Sequence, residues 1–320
     1  AVHQALAERS PYRLRTYAPV GRHDDLLALL VRRLLENGAN SSFMNKVSDT
    51  SLTIDDLVSD PYSGAIGTLS APLVTGAALF QPRRQNSHGF DEDDATTLTA
   101  FYQNMAGQKM AGQKIWAKPK NATLAAITQA FDDAGAAGPA WQGTAPKNRA
   151  QILNEIARLY ELHASELYQL LTTEAGKTFD DAVGELREAV DFCRYYAAEA
   201  ARFNTKSSGR GVVVAISPWN FPLAIFTGQI VAALAAGNTV IAKPAEQTPR
   251  IANLACRLMH AAGLPQAALH LLCGAGSKVG AALVSHGRAD MVVFTGSTQT
   301  AKRIEAAIAT SGKPHIPLIA

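Results

Sequence analysis

Three short runs carry the residue types from which a nucleotide site and an oxyanion site can be built. They are Ser217-Pro-Trp-Asn-Phe-Pro222, Lys243-Pro-Ala-Glu246 and Phe294-Thr-Gly-Ser297. Lys243 and Glu246 lie three residues apart on a loop, so an ammonium and a carboxylate can each reach a ribose hydroxyl. The same two side chains could equally form a solvated ion pair. Gly296 and Ser297 open a helix, and a helix N-terminus presents free N–H groups and a positive dipole end to phosphate. The plain alternative there is a serine N-cap. Asn220 offers a side-chain amide to an oxygen on which negative charge develops, an interaction that stabilises by several kcal/mol. Otherwise it holds the turn before Pro222. Gly274-Ala-Gly-Ser-Lys-Val-Gly280 is a fourth run, one residue longer than Gly-x-Gly-x-x-Gly and following the third strand rather than the first. Its alternative is a tight strand-to-helix turn.

All of these runs end predicted strands. Gly211-Val-Val-Val-Ala-Ile216 is a short apolar stretch that reads as a buried strand. Pro222 starts a helix and Gly237 closes it. Thr239 to Ala242 is the next strand, and Thr248-Pro249 opens a helix that Gly263 ends. Leu269 to Leu272, Met291 to Phe294 and Ile316 to Ala320 are the later strands, with helices over Lys278–His286 and Thr298–Thr310 between them. Three helical patterns precede them, over Asn121–Ala137, Lys147–Glu174 and Asp180–Phe203. Strands alternating with helices predict an α/β fold with a doubly wound parallel sheet. In such a sheet, ligands bind beyond the carboxyl ends of the strands.

Composition narrows the function. A chain of 320 residues with 47% hydrophobic content can form two ordinary globular domains. The net charge of +3 is small and the basic residues are scattered, which argues against nucleic-acid binding. No apolar run reaches the ~18–20 residues of a membrane span, and no secretory leader is visible. Three widely spaced cysteines, with no Cys-x-x-Cys, argue against disulfides or a metal site and fit a reducing cytoplasm. Cys193 and Cys256 fall in helical patterns as buried thiols. Cys273 ends a strand and is not expected to be a nucleophile. The chain divides into residues 1–60, a mixed segment 61–117 and the alternating region 118–320. Ala106-Gly-Gln-Lys109 repeats as Ala111-Gly-Gln-Lys114, with no functional reading.

The first sixty residues hold one amphipathic helix, Asp24 to Glu36, stopped by Asn37-Gly38. Leu26, Leu29, Leu30 and Leu34 form its apolar stripe. Arg33 falls on that stripe and needs a partner if buried. Glu36 stands at i+4 from Arg32 and i+3 from Arg33. The alternative is an arginine whose stem lies on the core rim while its head stays in water.

The runs ending the strands, in this order and spacing, resemble the aldehyde dehydrogenase superfamily. By that resemblance Ile216, Ser217, Pro218 and Trp219 flank the nicotinamide ribose of NAD. Lys243 and Glu246 hold the adenosine ribose, and Gly276 and Gly280 mark the adenine side. Phe294, Gly296 and Ser297 mark the pyrophosphate side, and Asn220 is the oxyanion donor. The carboxylate at Glu246 favours NAD over NADP by repelling a 2′-phosphate. The family's cysteine nucleophile is at none of Cys193, Cys256 and Cys273. Its glutamate base follows a strand like Pro317-Leu-Ile-Ala320, so the chain as given is expected to lack the thiol chemistry. Tyr17-Ala-Pro-Val-Gly21 with Leu30-Val-Arg-Arg-Leu-Leu-Glu36 resembles the last strand and helix of a proline dehydrogenase (β/α)8 barrel. There Tyr17, Arg32 and Arg33 would hold proline beside FAD, with Glu36 supporting the arginines.

Together the halves resemble the bifunctional enzymes of proline catabolism. The resemblance implies proline and glutamate semialdehyde as substrates, a homo-oligomer, and a peripheral contact with membrane quinone. Residues 202–208 are shorter than the family's segment there, which bears its oligomer contacts. The rival readings are a single-function NAD-dependent aldehyde dehydrogenase and a non-catalytic nucleotide-binding module.

Overall fold

The computed structural model describes residues 20–22, 26–27, 31, 34–35, 46–47, 49–58, 74–90, 95–96, 98–99, 103, 117–203, 208–312 and 315–320. The chain forms two compact units, Ala1–Leu73 and Val74–Ala320. In the first, Leu26, Leu27, Val31, Leu34 and Leu35 are helical, within the helix predicted there. A short helix α1 follows at Ile54–Val58. Thr53 opens it: its hydroxyl accepts from the Asp56 N–H at 3.2 Å, and its own N–H donates to the Asp56 carboxylate at 2.9 Å.

The second unit is a doubly wound parallel sheet. Its helices are α2 (Leu124–Gly143), α3 (Pro146–Leu162), α4 (Ala164–Thr173), α5 (Phe179–Ala200), α6 (Ala224–Ala235), α7 (Pro249–Ala261), α8 (Ala281–Val284) and α9 (Thr298–Ala309). Its strands are β1 (Val212–Ile216), β2 (Thr239–Lys243), β3 (Leu269–Leu271), β4 (Met291–Phe294) and β5 (Leu318–Ile319). They lie in the order β3-β2-β1-β4-β5, and every pairing is parallel. β1 and β2 are buried along their whole length, as strands covered on both faces must be.

Alternation along each strand sorts side chains between two cores. Val212, Val214, Ile216, Ile241, Val292 and Phe294 pack with Ile127, Phe131, Leu283 and Ile304 from α2, α8 and α9. Val213, Ala215, Val240 and Ala242 face the larger core, built on α3 to α7 and centred on Tyr160, Leu170, Phe226 and Ile230. Two polar contacts tie that core together. The Tyr160 hydroxyl meets Thr227 Oγ1 at 3.2 Å, and the Trp141 ring N–H donates to the Leu234 carbonyl at 3.2 Å.

Several predicted bounds shift, among them that of the helix expected over Asn121–Ala137, which runs over Leu124–Gly143. The pattern Lys147–Glu174 is two helices, broken at His163 (φ −100°, ψ 24°). The helix expected from Pro222 begins at Ala224. The helix expected over Lys278–His286 is a π-turn, Gly276–Gly280, running into α8. The last strand is confined to Leu318–Ile319. Among the described residues no helix is long and apolar enough to cross a membrane.

Candidate functional site

The strand order reverses at β1. Its neighbour on one side, β2, comes next in sequence, while β4 on the other arrives only after β3. The crevice where a ligand settles in such sheets opens at the carboxyl ends beside that point. Backbone bonds lock the loops there. The Ser217 N–H donates to the Lys243 carbonyl at 3.2 Å and the Thr295 N–H to the Ile216 carbonyl at 3.1 Å. Gln229, buried on α6, spans the same gap: its amide donates to the Ile216 carbonyl at 3.3 Å and to Thr295 Oγ1 at 3.0 Å. Ser217 is buried, Pro218 half-buried, and Trp219 and Asn220 are exposed.

A cleft of about 360 Å³ opens beside these strand ends, between the π-turn and α9. Ile216, Lys243, Gly276 and Gly280 line it, with Thr300 and Arg303 on the α9 wall. Lys243 is the last residue of β2 rather than a loop residue, and it is only 4% exposed. Its ammonium donates to the Pro244 carbonyl at 2.8 Å. Burial pushes its pKa below the usual lysine range, against the opposing pull of the Glu246 carboxylate. Glu246 is exposed and accepts from the Gly276 N–H at 3.1 Å, joining the loop after β2 to the π-turn. A methyl group at Gly280 would sit 3.6 Å from the Lys243 stem, in the space of the cleft.

The remaining predicted residues that are described do not line this cleft. Ser297 caps α9, accepting from the Thr300 N–H at 3.2 Å. Phe294 is buried beneath, and a Cβ at Gly296 would come within 2.5 Å of its ring. Pro218, Trp219 and Asn220 belong to the loop after β1. Tyr17, Arg32, Arg33 and Glu36 lie outside the described residues, as does the repeat at 106–114.

Three residues outside the predicted set hold the loops from behind. Glu185, buried on α5, accepts from the Leu223 N–H at 2.7 Å and the Ala224 N–H at 3.2 Å, at the start of α6. Lys177 pairs with it at 2.8 Å, and its ammonium lies 4.3 Å from the centroid of the Phe221 ring. Glu174 takes the Arg250 and Ile251 N–H groups at 3.0 and 2.9 Å, at the start of α7. The signal for Glu185 is present in the sequence. It shares a helical face with the buried Ala182, Leu186 and Ala189, and a carboxylate on an apolar stripe requires partners.

All three thiols are buried. Burial raises the pKa of Cys193 and Cys256, and pushes Cys273 up to about 11. Each is a protonated thiol at neutral pH, without nucleophilic character.

Comparisons with known proteins identify the family. The model of the aldehyde dehydrogenase family matches residues 103–317, and that of proline dehydrogenase matches residues 1–46. The bifunctional protein PutA of Escherichia coli is 43% identical over 96% of this chain and 26% of its own length. A 1-pyrroline-5-carboxylate dehydrogenase of Staphylococcus epidermidis is 37% identical over 59% of this chain and 39% of its own. The crystal structure of a mutant of Bradyrhizobium japonicum proline utilization A superposes with a TM-score of 0.71 at 42% identity, covering 99% of this chain and 33% of that one. A Thermus 1-pyrroline-5-carboxylate dehydrogenase with bound NAD gives a TM-score of 0.67 at 28% identity, covering 73% and 54%. The chain thus spans about a quarter of the length of the PutA proteins it matches. With the family match running through β1 to β4 and the loops beyond their ends, the chain belongs to the aldehyde dehydrogenase family.

Proposed function

We propose that this chain carries the NAD-binding part of a bifunctional oxidoreductase of proline catabolism, together with the end of its proline-oxidising barrel. In the longer enzyme, FAD-dependent oxidation of proline gives pyrroline-5-carboxylate, which opens by hydrolysis to glutamate semialdehyde. NAD-dependent oxidation of that aldehyde gives glutamate. Residues 1–60 are the barrel's end, 61–117 a linking arm and 118–320 the nucleotide domain. Two sites in one polypeptide suit the handing-on of an unstable intermediate. The enzyme is a cytoplasmic homo-oligomer whose barrel passes electrons to a membrane quinone.

The observation that carries this reading is the cleft at the sheet's carboxyl edge. Its volume is that of a small-ligand pocket; Lys243 and Gly276 line it, and Glu246 accepts from the Gly276 N–H. These groups fit an adenosine ribose. Lys243 and Glu246 would take its hydroxyls, with Gly276 and Gly280 leaving room for the base. Phe294, Gly296 and Ser297 would stand on the pyrophosphate side, and Ile216, Ser217, Pro218 and Trp219 beside the nicotinamide ribose. The bound nicotinamide accepts the hydride. Asn220, on the exposed loop after β1, would donate to the oxyanion. Tyr17, Arg32 and Arg33, with Glu36 behind, would hold the proline carboxylate beside the flavin. The match of residues 1–46 to proline dehydrogenase favours this reading over a single-function aldehyde dehydrogenase.

The test is Arg32→Met or Arg33→Met in the longer enzyme. A lost carboxylate pair costs about 2–5 kcal/mol when buried. The KM for proline should rise steeply while aldehyde oxidation stays intact. Equal loss of both activities would refute the assignment.

A further inference from the structure

The loop Pro218–Phe221 runs from the buried end of β1 to the start of α6, and its two ends are held differently. At Ser217 the backbone donates to Lys243 of the neighbouring strand. At the other end nothing local can cap α6. Pro222 has no N–H, and Leu223 at the N-cap position offers no side-chain acceptor. The first free N–H groups, of Leu223 and Ala224, are instead taken by Glu185 from α5. The side chain of Glu185 is wholly buried and that of Lys177 nearly so. Lys177 reaches this place because Gly176, at φ +68°, turns the chain between α4 and α5. Its ammonium faces two ways, toward the carboxylate and onto the Phe221 ring. Phe221 follows Asn220 directly, so the pair fixes both the residue next to Asn220 and the helix start two residues further on. Asn220 itself is exposed and makes no side-chain hydrogen bond among the described residues.

We propose that Lys177 and Glu185 are positioning residues for Asn220. This rests on the reading of Asn220 as the oxyanion donor. An amide that stabilises developing charge must be aimed in advance, and a misplacement of about 1 Å can cost about a hundredfold in rate. A loop of exposed side chains cannot aim itself. The buried charge pair supplies the fixed point, and neither partner is replaceable by a neutral group. Glutamine at 185 would turn one carboxylate oxygen into an NH2. That group would then face either the two backbone N–H groups or the Lys177 ammonium, donor against donor.

The experiment is a double-mutant cycle in the longer enzyme, with Lys177→Met and Asn220→Ala singly and together. NAD affinity and proline oxidation are measured alongside aldehyde turnover. Lys177→Met should lower the aldehyde kcat about tenfold or more, with NAD affinity and proline oxidation unchanged. In the Asn220→Ala background it should lower kcat no further, because the group it aims is gone. Lys177→Arg, which keeps the charge on Glu185, should restore part of the loss. If Lys177→Met fails to fold, Glu185→Gln runs the same cycle with the same expectation. Losses that add, or a loss matched by an equal fall in NAD affinity, would overturn the positioning role while leaving the Asn220 reading intact. An undiminished kcat in Asn220→Ala alone would overturn the oxyanion reading, and this inference with it.

Discussion

Glu246→Ala should weaken NAD binding by about tenfold. The carboxylate is exposed and accepts from the Gly276 N–H at 3.1 Å, so two contributions are lost together. One is the tether to the π-turn that lines the cleft, and the other is the acceptor proposed for a ribose hydroxyl. A hydrogen bond to a charged group contributes about 1.5–3 kcal/mol when shielded, and solvent at an exposed site takes the sum toward the low end. The ~1.4 kcal/mol that remains is one order of magnitude in Kd. NADP should lose less, since the substitution also removes a negative charge that its 2′-phosphate must approach. Glu246→Gln separates the two effects. Its amide oxygen can still accept from Gly276, so NAD should weaken by less than in Glu246→Ala while the preference against NADP narrows. Calorimetric titration of both dinucleotides into the wild type and the two variants reads all of this. Unchanged NAD affinity in Glu246→Ala, or a larger loss for NADP than for NAD, would refute the reasoning.

Three further outcomes follow from the described geometry. Lys243 sits below the usual lysine pKa because it is buried, so its ammonium contribution to NAD binding is complete below that lowered pKa. It should fade as pH rises through it, before an exposed lysine would titrate. NAD titrations between pH 7 and 10 should show the decline, and Lys243→Met should flatten it. Arg149 is 2% exposed and donates to the Ala235 carbonyl at 3.1 Å, to the Gln142 carbonyl at 3.2 Å and to that of Thr144. Arg149→Met should therefore destabilise the second unit by about 3–5 kcal/mol, read as a lower urea midpoint at unchanged slope. Gly296→Ala should force the Phe294 ring aside, because its Cβ would stand 2.5 Å from the ring edge. The cost should be about 1–3 kcal/mol, seen in the same denaturation, and wild-type stability would show that the loop yields freely.

The strands were legible where composition and punctuation coincide. Met291–Phe294 is observed as predicted, and β1 and β2 differ from expectation by one residue. Each is a β-branched apolar run bounded by turn residues. What escaped prediction depends on contacts distant in sequence. Nothing in the residues around His163 breaks a helix by itself, yet the chain turns there between α3 and α4. Thr248 has the residue type and position of an N-cap, but its hydroxyl makes no capping bond, and Glu174 takes the Arg250 and Ile251 N–H groups instead. The glycines of Gly274–Gly280 suggest a turn, while the π-turn arises from wide bonds such as Gly280 N–H to the Ala275 carbonyl at 3.5 Å. The place of Lys243 near a strand end was legible, but its burial was not. That follows from the β2 register, in which Ile216 stands opposite Lys243.

The strand order also governs how the chain matures as it is made. β1 lies at the centre, and its partner on one side, β2, follows after a single helix, so β1, β2 and β3 can pair early. Its other partner is β4, where Val213 meets Met291. At ordinary translation rates of about 5–20 residues per second, Met291 leaves the ribosome about 4–15 s after Ile216. Throughout that interval one side of the most apolar strand is an unpaired edge, open to any other extended segment. The nascent half-sheet is therefore open to aggregation until the arrival of β4 ends its exposure.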